Sequence, residues 1–199
     1  MPRDNSELAF AFPAAVREDA IVLASALPQQ HFPVHTFPVR VGEELVRIPY
    51  RVHYDVALID PTSFSTTQIE VLNCLLTRHD NGYVREENLR EILRRNHQWV
   101  PPFVVQLVGE YVIEILATIR DAIHDLDRDL YRAFLISNPD FFRLTKQRVV
   151  SYRACYYAHL DKRNYVGFEI VNFLDSLIGT NRGALSLKPT SKLRGDCVP

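Results

Sequence analysis

The sequence predicts a mainly α-helical fold, a multi-helix bundle with a small β-hairpin element in front of it. Three observations carry this expectation. Residues 37–59 alternate apolar and polar side chains with period two, the repeat of a strand with one buried face. After residue 65 the apolar positions recur at helical spacing, in about five segments. Turn and cap signals stand between those segments: Asp80-Asn81-Gly82, Pro101-Pro102 and Asn138-Pro139. A chain of 199 residues is long enough for one substantial core, and no flexible linker divides it, so 1–199 is expected to form one domain. Within it the hairpin element is expected over 37–59, the helical bundle over 65–180 and a mobile tail without periodicity over 181–199.

Residues 1–36 read as irregular, punctuated by Pro28 and Pro33, with a short helix over 14–27. Gly42-Glu43 suits a hairpin turn. Val46, Ile48, Tyr50, Val52, Tyr54, Val56 and Leu58 then share one face of a strand, with Arg47, Pro49, Arg51, His53 and Asp55 on the other. Pro49 cannot donate to a ladder, which predicts an edge strand or a bulge there. Ser65 and Gln68 have capping-box spacing, ahead of an apolar stripe of Ile69, Leu72, Leu75 and Leu76. A second helix over 85–95 buries Leu89, Ile92 and Leu93. Pro101-Pro102 open a third, which runs to about Ile136 with or without a break. A fourth, over 140–160, takes Asn138 as N-cap and Pro139 as first residue. Asn164 caps a fifth, which buries Tyr165, Phe168, Val171, Leu174 and Ile178 and is closed by Gly179.

A net charge of −1 gives no global attraction to nucleic acid or anionic membrane, so any basic function must be local. Cys74, Cys155 and Cys197 have no metal-ligand spacing. Cys74 and Cys155 sit in apolar patterns and read as buried thiols, which predicts a reducing, cytoplasmic compartment. The N-terminal apolar run is broken by Pro13 and flanked by acids, unlike a signal peptide. The one long apolar stretch, residues 99–119, begins with two prolines and contains Glu110 and Glu114, so it reads as a buried helix and not a membrane span.

On a continuous helix that stretch gathers Gln106, Glu110, Glu114, Thr118, Asp121, His124 and Asp125 into one sector of about 120°. As a site, Glu110, Glu114, Asp121, His124 and Asp125 would supply metal ligands, with the i, i+3 spacing of Asp121 and His124 as its best feature. No Glu-x-x-His occurs to complete a dinuclear centre. The favoured expectation is a solvent-facing strip on a central helix, with no metal and no cofactor.

His79-Asp80 and His124-Asp125 resemble the His-Asp pair of helical metal-dependent phosphohydrolases, which would make this a helical metal-dependent hydrolase. Asn81-Gly82 follows the first pair, however, as at an ordinary helix end. Residues 65–93 resemble the first two helices of the winged-helix DNA-binding domains of response regulators. The shared pattern is a Thr-led cap, a Leu-rich helix and a Gly turn, followed by Val84-Arg85-Glu86 and then Leu89. The resemblance covers a short part of the chain. The helix that follows is apolar and acid-bearing where a basic recognition helix is required, so DNA reading is not carried over. There is no nucleophile elbow and no glycine-rich phosphate loop.

Residues 141–167 hold six Arg/Lys against one Asp, interleaved with Tyr152, Tyr156, Tyr157 and Tyr165. Arg143, Lys146, Arg148, Arg153, Lys162 and Arg163 are therefore the candidates for a nucleic-acid-binding module, which Arg40, Arg47, Arg51 and His53 of the hairpin would extend. The competing expectation is that the rings pack in the bundle under the basic stems. The sequence as a whole points to a non-enzymatic binding or scaffold protein with a protein partner. An aromatic-rich later region, an edge strand open to pairing and a free tail support that reading.

Overall fold

The computed structural model describes residues 5–29, 32–161 and 164–179. A 3-10 helix over Asn5–Ala11 leads into α1 (Ala14–Ala26). An antiparallel pair follows, β1 (Thr36–Val41) and β2 (Glu44–Pro49), in the register Val39↔Val46. Seven more helices come after two short 3-10 turns: α2 (Thr66–Leu76), α3 (Gly82–Ile92), α4 (Pro101–Val108), α5 (Ile113–Ala122), α6 (Arg128–Ser137), α7 (Pro139–Tyr156) and α8 (Val166–Leu177). The fold is thus mainly helical with a two-strand hairpin near the N-terminus. One cluster of buried apolar side chains runs from Leu8 to Leu177. Among the described residues no helix is long and apolar enough to cross a membrane.

The hairpin turns at Gly42, whose φ of +58° suits the first position of a type II′ turn. Its inward face is Phe37, Val39, Val41, Val46 and Ile48. The strand is shorter than its alternation suggests, ending at Pro49 and not near residue 59. Val52 makes only a single parallel bridge to His79, and Val56 and Leu58 are exposed in a 3-10 turn that the Asp55 carboxylate caps. There the local Asx-type turn overrides the period-two pattern. The residues before α1 are also less irregular than expected, since Leu8, Ala9, Ala11 and Phe12 enter the core. The Glu44 carboxylate ties the hairpin to α1 by accepting from the Ala14 amide at 2.9 Å and pairing with Arg17 at 3.1 Å.

Ser65 and Gln68 form the reciprocal capping box of α2, at 3.2 and 3.1 Å. Asn81 starts α3 by accepting from the Tyr83 amide, which places that helix three residues earlier than the sequence suggests. Gly179 follows α8 with φ +72°, as expected of a C′ glycine.

The expected third helix is three helices. It breaks first at Gly109–Val112, and again before Asp127, whose side chain accepts from the Asp129 and Leu130 amides as the N-cap of α6. The central position survives: all eight residues of α4 are buried.

Two expected caps are also revised. Tyr165 precedes α8, and Asn164 lies one residue earlier, in a 3-10 turn. Asn138 precedes α7 but makes no cap hydrogen bond. Its side chain crosses to β1 instead. Oδ1 accepts from the Arg40 amide at 2.7 Å, and Nδ2 donates to the Arg40 carbonyl and the Phe134 carbonyl, both at 2.9 Å. The outer edge of β1 at Arg40 is therefore occupied, not open to a partner. Asn138→Ala removes three hydrogen bonds at a buried position and is expected to lower stability by about 2 kcal/mol, read as a lower urea midpoint with unchanged slope.

Cys74 is buried, and burial pushes its thiol well above the ordinary range, so it is not poised as a nucleophile. Cys155 is exposed on α7, contrary to the expected buried thiol, which removes it from the argument for a reducing compartment. Cys197, Lys162, Arg163 and the expected tail at 181–199 lie outside the described residues.

Candidate functional site

The site is built around the joint between α4 and α5. Glycine is a poor helix former, and Gly109 also gives Arg148 room: a Cβ there would meet Arg148 Cδ at 3.2 Å. Beyond it the chain turns Glu110 inward, where the carboxylate is 5 % exposed. Three arginines from three elements converge on it. Arg51 Nη2 lies 2.8 Å from Oε2, Arg78 Nη2 3.3 Å from Oε1 and Arg85 Nη2 3.5 Å from Oε2.

Arg78 is wholly buried and also donates to the carbonyls of Pro49, Tyr50 and Thr77. Arg85 donates to the carbonyls of His79 and Asp80. Burial lowers the Arg78 pKa to about 9, which still leaves it charged at neutral pH, while Glu110 opposes the drop. Burial alone would raise the Glu110 pKa, but Arg78, Arg51 and Arg85 outweigh it and hold the carboxyl below its ordinary value.

Both carboxylate oxygens are engaged by cations, so Glu110 is neither a free base nor a metal ligand. It pins the strand exit, the α2–α3 turn and the α4–α5 joint together. The expected wet strip does not exist as a unit, because Gln106 and Glu110 are buried while Glu114 is exposed at the start of α5. Asp121 is held by Arg120 at 2.7 Å, His124 packs edge-on to Phe173, and Asp125 is exposed. Among the described residues no group of three or more His, Cys, Asp or Glu is arranged to hold a metal. His79 is used inside the turn: Nδ1 accepts from the Asn81 amide at 2.9 Å and Nε2 reaches the Tyr54 carbonyl at 2.8 Å.

On the outer side of the joint lies a run of aromatic rings. Tyr111 contacts Tyr152 and Tyr156, with centroids 5.9 and 5.4 Å apart, and Tyr157 donates its hydroxyl to the Tyr111 carbonyl at 2.6 Å. Tyr156 is 39 % exposed, and Tyr111, Tyr152 and Tyr157 are partly exposed. The inward line of α7 (Phe142, Thr145, Val149) thus continues as a half-open tyrosine surface in its second half. Of the four tyrosines in residues 141–167 only Tyr165 is fully packed away; burial raises its pKa to about 12.

In the other direction the Arg148 stem crosses Gly109 to Tyr50, with its guanidinium 6.0 Å from the ring centroid. There an open recess of about 280 Å³ is lined by Phe37, Tyr50, Phe141, Gln106, Arg143 and Arg148 among others. The hairpin and α7 therefore meet at this recess.

The basic candidates divide between different tasks. Arg143 and Arg148 line the recess. Lys146 pairs with Asp175 at 2.9 Å, and Arg153 donates to the Leu160 carbonyl, so neither adds to a common phosphate track. Gln106, Phe37, Tyr50 and Phe141 were not legible as site residues, because each is an ordinary member of its own apolar or polar pattern. No protein-family model, curated protein or solved structure matches the chain, so its own geometry carries the functional argument.

Proposed function

We propose that this chain is a soluble, cytoplasmic, non-enzymatic binding or scaffold protein, and that its recognition surface is the face around the α4–α5 joint. One observation carries the reading. Ring contacts that share α7 make up an aromatic and arginine belt: Arg148 lies over Tyr50, and Tyr152 and Tyr156, further along the same helix, pack on Tyr111 of the α4–α5 joint. Tyrosine and arginine are the residues that protein interfaces enrich, since a rigid amphipathic ring gives contact area at little entropic cost. The belt rests on a rigid base, the Glu110 cluster, so it is held in shape before a partner arrives. A nucleic-acid partner is the second reading, supported by the junction of Arg148 with Tyr50. It is weakened by the internal pairing of Lys146 and Arg153.

The test is site-specific photo-crosslinking in cells that make the protein, with a benzophenone side chain at Tyr156 and, as control, at Glu87 on the exposed side of α3. A discrete protein adduct is expected at Tyr156 and not at Glu87. Tyr152→Ser should reduce it at least about fivefold, the effect of losing one moderate interface contact. Equal adducts at both positions would sink the reading. A nuclease-sensitive adduct would replace it with the nucleic-acid one.

A further inference from the structure

We propose that the recess between the hairpin and α7 binds a small planar acid: a single aromatic ring bearing a carboxylate or a phosphate. The inference goes beyond the recognition face, because it requires no protein partner.

The argument starts from Gln106 on the all-buried α4. The residue is 5 % exposed, yet it lines the recess. Its Oε1 accepts from Arg148 Nη1 at 3.4 Å. A guanidinium has only donors, so the amide oxygen must face Arg148 and the NH₂ group is left over. Among the described residues that Nε2 has no hydrogen-bond partner. It is not sealed from solvent either, because the side chain opens on the recess. A nine-tenths-buried amide donor opening on a cavity takes its acceptor from outside the protein, from water or from a ligand that displaces it.

The second observation is Arg148. It makes no ion pair among the described residues; its polar contacts are the long bond to Gln106 and the face of Tyr50. The neighbouring Arg143 is already held by Asp140 at 3.1 Å. An anion entering the recess therefore meets one unneutralised guanidinium beside an amide donor, and the rim carboxylate is already paired. The remaining walls are apolar: Phe37 and Phe141, stacked on each other at 5.5 Å, with Tyr50 and Leu144. A volume of about 280 Å³ lies just below the range of drug-sized ligand cavities and suits one ring with one acid group.

Isothermal titration of the full chain with phenyl phosphate and phenylacetate tests the proposal, with inorganic phosphate and benzyl alcohol supplying the anion and the ring alone. At least one of the two acids should saturate with Kd at or below about 1 mM and bind at least about tenfold more tightly than either half. Arg148→Met keeps the stem over Gly109 and removes the charge; it should weaken that acid at least about tenfold. In the unaltered protein the side-chain amide resonances of Gln106 should shift on saturation, a readout that does not depend on any variant folding.

The proposal is overturned if neither acid saturates below about 10 mM, if Arg148→Met binds as the parent does, or if the Gln106 amide does not move. Inorganic phosphate or benzyl alcohol binding as tightly as the joined molecule would overturn it too. Because crosslinking at Tyr156 does not involve the recess, failure here and failure of the recognition face are separately visible.

Discussion

Replacing Glu110 by alanine should destabilise the fold by about 3–5 kcal/mol, the usual cost of leaving buried charge without its partner. The variant strands Arg78, wholly buried, and Arg85, nearly so, with no counter-charge between them. In a chain of this size the melting temperature should fall by about 6–20 °C. Arg51 sits at the rim, its side chain 33 % exposed, so Arg51→Met should cost only about 1 kcal/mol. The asymmetry between those two numbers is the signature of a buried hub with one wet arm.

The same cluster fixes a pH dependence. The folded carboxyl lies below the ordinary glutamate value of 4.5. Its contribution is therefore fully present above that value and is lost as pH falls through the lowered one. Chemical denaturation from neutral pH down to acid should show this loss in the parent, and Glu110→Gln should flatten it. A parent and variant with parallel pH profiles would show that the cluster does not hold Glu110 ionised.

Phe103→Ala is the second large effect expected, at about 3–5 kcal/mol. Phe103 is fully buried on α4 and stacks on Phe12, ring centroids 5.4 Å apart, at the end of the N-terminal 3-10 helix. Truncation leaves a cavity between two rigid elements that cannot collapse into it easily. Urea unfolding would read the loss. A cost under about 1 kcal/mol would mean that the N-terminal segment relaxes into the gap, and that its packing is looser than the buried positions of Leu8 and Phe12 imply.

Features set by neighbours in the chain were legible in the sequence. The Gly42 turn, the Ser65–Gln68 box and the Gly179 stop each depend on a few adjacent residues, and each is found where the pattern places it. The break at Gly109 was not legible. A glycine costs a helix only about 1 kcal/mol relative to alanine, and the partners that draw Glu110 inward stand 59, 32 and 25 positions away at Arg51, Arg78 and Arg85. A wheel drawn through that joint puts Glu110 and Glu114 on one strip, whereas the broken chain sends one inward and leaves the other in water. The break at Asp127 did leave a local sign, an acid placed to cap the helix that follows, inside a segment whose apolar rhythm masked it. For the recess, charge and ring content marked Arg143 and Arg148, while Gln106 and Phe37 acquire their meaning only from what folds against them.

The contact of Asn138 with Arg40 bears on how copies of this chain behave toward one another. A two-stranded ribbon ordinarily ends in free amide and carbonyl groups, which invite another ribbon to add itself. The Asn138 side chain offers Arg40 the same donor–acceptor pair that a neighbouring peptide would. To an approaching chain, the β1 edge at Arg40 is thus one that has already been extended, by one amide borrowed from the helical layer. Losing that amide would open a template for edge-to-edge assembly at the moment it weakens the monomer, so slow self-association at high concentration should accompany the stability loss of Asn138→Ala.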